Sequence, residues 1–140
     1  MTPNEYQEAA SRTEYTPDFV RRDNAVVAGA DRQLAQLLHG MIGMCTETGE
    51  LQDMVKKHLI YGNPFDATNV LEECGDVLWY IALALKACGF SMEQCMARNI
   101  AKLHARFPDK FTEELANTRD LAAERAALEA PTGIPCVDMP

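Results

Sequence analysis

The chain has no CxxC pair, no two histidines at metal-ligand spacing, no fixed-period repeat and no low-complexity block. Its longest uncharged apolar run, Val77 to Leu85, is far short of the roughly 20 residues that cross a bilayer. Nor do the first residues carry the basic and apolar regions of a signal peptide, so the expectation is a cytoplasmic protein, or one of the host cytoplasm if viral, with no membrane among its partners. The five cysteines, Cys45, Cys74, Cys88, Cys95 and Cys136, are odd in number and fall mostly within helical patterns, which reads as free thiols packed as small apolar groups. His39, His58 and His104 share no spacing with one another or with cysteine that suggests zinc.

Positive charge is also scarce. Thirteen basic residues against twenty-one acidic ones leave a net charge of -8, a field that repels nucleic acid. The same balance still admits a small phosphorylated ligand if a divalent cation stands between the two sets of negative charge.

What is present is helical periodicity. With 47% apolar and 24% charged residues in 140, the chain has the balance of one folded domain. β-Branched residues are too scattered for strands, and the predicted fold is an all-α helical bundle of about four main helices. A short helix over Glu5 to Ser11 and a connector fill residues 1–27, the helical domain spans 28–128, and a proline-rich mobile tail fills 129–140. A long helix runs to about Ile60 on a stripe including Leu34, Leu38, Met41, Val55 and Leu59. After the turn "YGNPFDATN", capped by Asp66 or Thr68, the next helix covers about Asn69 to Ala87. Ser91 with Gln94 forms a capping box for a third, to about Arg106, and "FTEELANTRDLAAERAALEA" is a further, more polar helix.

Residues three, four and seven apart share one helix face. Glu47, Glu50, Met54 and Lys57 therefore project together from the long helix, Glu73, Asp76 and Tyr80 from the next, and Asn99, Lys102 and Arg106 from the third. Either acidic pair alone is a common solvated-face pattern. Together, on neighbouring helices too apolar to stand apart, they converge four carboxylates, and such oxygen-rich clusters suit Mg²⁺ or Mn²⁺. Asn99, Lys102 and Arg106 add amide, ammonium and guanidinium donors fitted to phosphate oxygens. A ferritin-like di-iron bundle is excluded, because no glutamate has a histidine three positions later.

The set "ETGE", "EECGD" and "NIAKLHARFP" resembles the MazG-like nucleoside triphosphate pyrophosphohydrolases of the all-α NTP pyrophosphatase superfamily, over roughly residues 30–112. The flanking "NEYQEAASRT" and "NTRDLAAERAALE" look like its short single-domain members, many from phages and bacteria. The resemblance implies metal ligation by Glu47, Glu50, Glu73 and Asp76, with two or more Mg²⁺ ions per site (Mn²⁺ as a substitute). Nucleotide or phosphate contacts are implied for Lys57, Asn99, Lys102 and Arg106, with Tyr80 or Trp79 beside the base or sugar. Thr46 stands where many members carry another glutamate, so either Glu47 or Glu50 is the candidate general base. The implied reaction cleaves a nucleoside triphosphate to the monophosphate and pyrophosphate, in a homodimer or homotetramer, with a lean towards a purine deoxynucleotide such as dGTP. The contending class is a non-catalytic helical interaction module, in which the acidic pairs are solvated surface.

Overall fold

The computed structural model describes residues 1–14 and 30–134. Most of the expected connector, the end of the tail and Cys136 lie outside these residues. Among them are six helices and no strand: α1 (Pro3–Ser11), α2 (Ala30–Tyr61), α3 (Ala67–Ala87), α4 (Met92–Arg106), α5 (Glu113–Asn117) and α6 (Leu121–Glu129).

Local chemistry sets the boundaries. Gly62, at φ 73°, ends α2, and the Asn63 N–H bonds back to the Lys57 carbonyl at 3.1 Å. Asp66 Oδ1 then accepts the Thr68 and Asn69 N–H groups, both at 3.0 Å, and caps α3. At the far end of α3, Gly89 takes φ 73° while its N–H reaches Lys86 O and that of Phe90 reaches Leu85 O, each at 2.9 Å, a Schellman closure. The capping box of Ser91 and Gln94 starts α4, which leaves α3 at a bend of 96°.

The polar stretch expected to be one further helix is two. Thr112 caps α5 and Asp120 caps α6, so a second N-cap interrupts what periodicity alone reads as continuous.

Helices α2 and α3 share the most extensive contact among the described helices. Gly40 permits this approach: a Cβ on it would sit 3.0 Å from both the Ala84 Cβ and the Tyr80 carbonyl oxygen. Helix α1 docks on the corner between α3 and α4 through polar groups. Gln7, 3% exposed, donates to Ala82 O and Phe90 O and accepts from the Met92 N–H at 3.0 Å. Trp79 Nε1 donates to Ala10 O, and Lys86 pairs with Glu14 at 3.1 Å.

The stripe expected to be core on α2 is only partly so. Of that stripe, Leu37, Met44 and Leu51 are half-buried, whereas Leu34, Leu38, Met41, Val55 and Leu59 are exposed, because α3 covers only the side of α2 that carries Gly40 and Gly43. The cysteines correct the expectation too. Cys45 and Cys74 on their helices, Cys88 at the C-cap of α3 and Cys95 at the cleft between α4 and α6 are free but exposed. No single helix among the described residues is long and apolar enough to cross a membrane.

Candidate active site

The second half of α2 and the first half of α3 face each other below their connecting loop, and carboxylates meet there. Oxygens of Glu47, Glu73 and Asp76 all lie within 4.8 Å of one another. Glu73 is 5% exposed, Glu47 is half-buried and Asp76 opens to solvent. No lysine or arginine among the described residues pairs with any of the three. Glu73 Oε1 accepts instead from the neutral amide of Asn69, at 2.8 Å. Thr46 Oγ1, 2.8 Å from the Gly43 carbonyl, also lies 3.1 Å from Glu47 Oε1. A buried acid surrounded by other acids and neutral donors fits a hard divalent cation, which supplies the missing positive charge through carboxylate oxygens.

Two tyrosines register this field. Burial first, then the negative charges of Glu47 and Asp76, hold the Tyr80 phenol above its ordinary pKa. Burial and Asp76 do the same for Tyr6, whose hydroxyl donates to the Gly75 carbonyl at 3.2 Å. The Tyr80 ring lies directly over Gly43, where a Cβ would overlap it. It also packs edge-on to Trp79, with centroids 4.9 Å apart, and to His39 at 5.6 Å.

Beside the cluster is a cleft of about 630 Å³, lined by Glu50 and Glu73 at one end and by Asn63, Pro64 and Phe65 of the loop at the other. Glu50 is exposed in this cleft and stands outside the close group of three. Lys57 also lines it, with Nζ 2.7 Å from Asp53. Lys56 bonds the same carboxylate, and the two ammoniums, Lys56 first, lower the Asp53 pKa to about 2.

The third sequence-predicted face does not join these groups within one chain. Asn99, Lys102 and Arg106 do not line the carboxylate cleft. Asn99 lines a separate cleft between α4 and α6. Arg106 is engaged by Glu124 of α6, its Nε and Nη2 donating at 2.8 and 2.6 Å, and Arg119 grips the same carboxylate at 3.1 and 2.7 Å. Those guanidiniums, Arg106 first, hold the Glu124 carboxyl well below the usual carboxylate range.

Sequence reasoning missed Asn69 and Gly43. Both were within its reach, since each stands four residues before an acid of the cluster, Glu73 and Glu47 respectively.

An all-α fold that presents acids from two packed helices at one cluster offers the ligand set that a carboxylate-bound divalent metal would need. The family model of the MazG nucleotide pyrophosphohydrolase domain matches residues 37–111, more than half of the chain and all of α3 and α4. The chain belongs to that family, whose general activity is nucleotide pyrophosphohydrolysis and whose members typically use a divalent metal. No curated protein and no solved structure was found to match it.

Proposed function

We propose that the protein is a Mg²⁺-dependent hydrolase that cuts nucleoside or deoxynucleoside triphosphates between the α and β phosphates, giving the monophosphate and pyrophosphate. A purine deoxynucleotide such as dGTP is the favoured substrate. The observation that carries this reading is the group of Glu47, Glu73 and Asp76, with oxygens within 4.8 Å and no lysine or arginine among the described residues paired with them.

Bound Mg²⁺ or Mn²⁺ would neutralise the phosphates and lower the pKa of a coordinated water. Glu47, Glu73 and Asp76, with Glu50 one turn further along α2, are the proposed ligands. Glu47 or Glu50 orients the attacking water and takes its proton. Tyr80, fixed over Gly43 beside the cluster, flanks the nucleotide, and Lys57 faces the cleft from the α2 side.

Asn99 and Lys102 are proposed to meet the phosphates of a neighbouring copy. Arg106 would have to leave Glu124 to do the same. Support for a homodimer or homotetramer comes from the apolar side chains exposed along α2, α3 and α4, among them Leu34, Leu38, Ile42, Leu71, Met96 and Ile100.

The test is incubation of the protein with each of the eight common triphosphates and Mg²⁺, with pyrophosphate and orthophosphate measured separately. Release of monophosphate and pyrophosphate in equal amounts, abolished by EDTA, is expected. Orthophosphate release, or none from any nucleotide, would overturn the assignment.

A further inference from the structure

The loop end of the cleft differs in character from its carboxylate end. Phe65 is 56% exposed, an unusual place for a phenylalanine in a short polar loop, and it is held rather than loose. The His58 ring packs edge-on against it, with centroids 5.5 Å apart at 68°. His58 Nδ1 is in turn tied to the Asn63 carbonyl at 2.8 Å, and the Asn63 N–H to Lys57 O. With Gly62 fixing the turn and Asp66 capping α3, the loop presents one face of an aromatic ring from a preformed backbone.

The charges around that ring exclude one end of a nucleotide and suit the other. Among the described residues, Glu50, Asp53, Asp66 and Glu73 line the cleft against one cation, Lys57, and Asp53 already engages both Lys57 and Lys56. Phosphate is repelled from this end unless metal intervenes, whereas a neutral heterocycle is not. Carboxylates accept hydrogen bonds and cannot donate them. They complement the amino and imino N–H groups of guanine and the amino groups of adenine and cytosine. Thymine and uracil instead offer one imide N–H flanked by two carbonyl oxygens, which the carboxylates repel, and no exocyclic amino group. The cleft volume, about 630 Å³, lies within the range of about 300–1,000 Å³ usual for small-molecule sites.

We propose that the loop end of this cleft is the nucleobase subsite, with Phe65 as its stacking face and the carboxylates of Asp53 and Asp66 selecting bases that carry an exocyclic amino group. The subsite rests on the pyrophosphohydrolase reading only in assigning the triphosphate to the Glu47–Glu73–Asp76 end.

Binding tests it apart from turnover. Calorimetric titration in Mg²⁺ uses the non-hydrolysable α,β-methylene analogues of dGTP and dTTP, with inorganic tripolyphosphate as the base-free probe. The wild-type chain is expected to hold the dGTP analogue about tenfold more tightly than the dTTP analogue. Phe65→Ala is expected to weaken the dGTP analogue about tenfold while leaving tripolyphosphate unchanged, in line with the usual worth of a base–aromatic stack. Asp66→Asn keeps the helix cap, since asparagine caps about as well as aspartate, and should narrow the gap between the two analogues.

Equal affinity of wild type and Phe65→Ala for the dGTP analogue would overturn the subsite, as would a parallel loss for tripolyphosphate. Tight, base-selective binding without pyrophosphate release from dGTP would sink the proposed function and leave the subsite standing. No binding of any analogue would overturn both.

Discussion

Glu73 on α3 and Glu124 on α6 are buried to nearly the same extent, 5% and 4% exposed, yet they have opposite surroundings. Glu124 receives two guanidiniums in bidentate fashion, from Arg106 and Arg119, and so pins α6 to the end of α4. Glu73 receives one neutral amide, from Asn69, and has two more acids within 4.8 Å. Burying a carboxylate is costly unless its charge is met. In the α4–α6 half the chain meets it with its own arginines, and the result is a structural staple. In the α2–α3 half no lysine or arginine among the described residues pairs with the cluster, which leaves its charge for something from solution. Burial of an acid therefore does not distinguish support from function; the sign of its neighbours does.

The sharpest way to break this contrast is Glu73→Gln, which keeps the shape and removes the charge. Triphosphate hydrolysis should fall by about a thousandfold. The melting temperature without metal should hold or rise, since repulsion with Glu47 and Asp76 is relieved. A large loss of stability, measured by calorimetry, would make Glu73 structural like Glu124.

Gly43→Ala tests whether the cluster depends on the close approach of the helices. The new Cβ meets the Tyr80 ring, so the ring must leave its place beside Glu47 and Asp76. Expected are a destabilisation of about 1–3 kcal/mol from overpacking and a loss of about a hundredfold in kcat from the displaced site. Alanine at the neighbouring Gly49, which has open space around it, should leave the packing unchanged.

Glu124→Gln makes the reverse comparison. It leaves Arg106 and Arg119 without their acid, and the melting temperature should fall by about 5 °C or more. Metal binding at the α2–α3 site should persist. The pH dependence follows from the direction of the shift: the folded state lowers the Glu124 pKa, so its contribution is complete above the ordinary carboxylate value of about 4.3 and fades as pH falls below it. The variant should therefore show a flatter acid limb in stability against pH. Asp53, also lowered, is paired with lysines at the surface, where solvent screening leaves little net stabilisation.

The smallest expected effect belongs to Thr46→Glu, which adds an acid at the position where many family members carry one. Mg²⁺ affinity should rise by about threefold to tenfold, read by titration calorimetry. No gain would mean that Thr46, within reach of Glu47, already completes the site.

Much of the α2–α3 half was legible in the sequence, because its signals are local. The acids repeat at helical spacing, Gly62 and Asp66 mark the turn, and Ser91 with Gln94 opens α4. The other half was not, because its partners are distant in the chain. Nothing near Arg106 indicates that Glu124, 18 residues on, will take it, and no hydropathy pattern marks Gln7 as a buried link to α3 and α4. The single polar helix expected after Pro108 failed for a related reason: Asp120 reads as one more polar residue in a helical stretch until its side chain is seen accepting from the Ala123 N–H. Apolar periodicity also overstated the core, since it marks what must be covered without saying whether this chain covers it.

The most direct measurement of the central contrast is Mn²⁺ binding, followed by electron paramagnetic resonance, on the wild-type chain, Glu73→Gln and Glu124→Gln without nucleotide. Saturable binding by the wild type and by Glu124→Gln, with at least a tenfold loss in Glu73→Gln, is the expected result. Equal binding by Glu73→Gln, or no saturable binding by the wild type, would contradict the assignment of the Glu47, Glu73 and Asp76 cluster as a cation site.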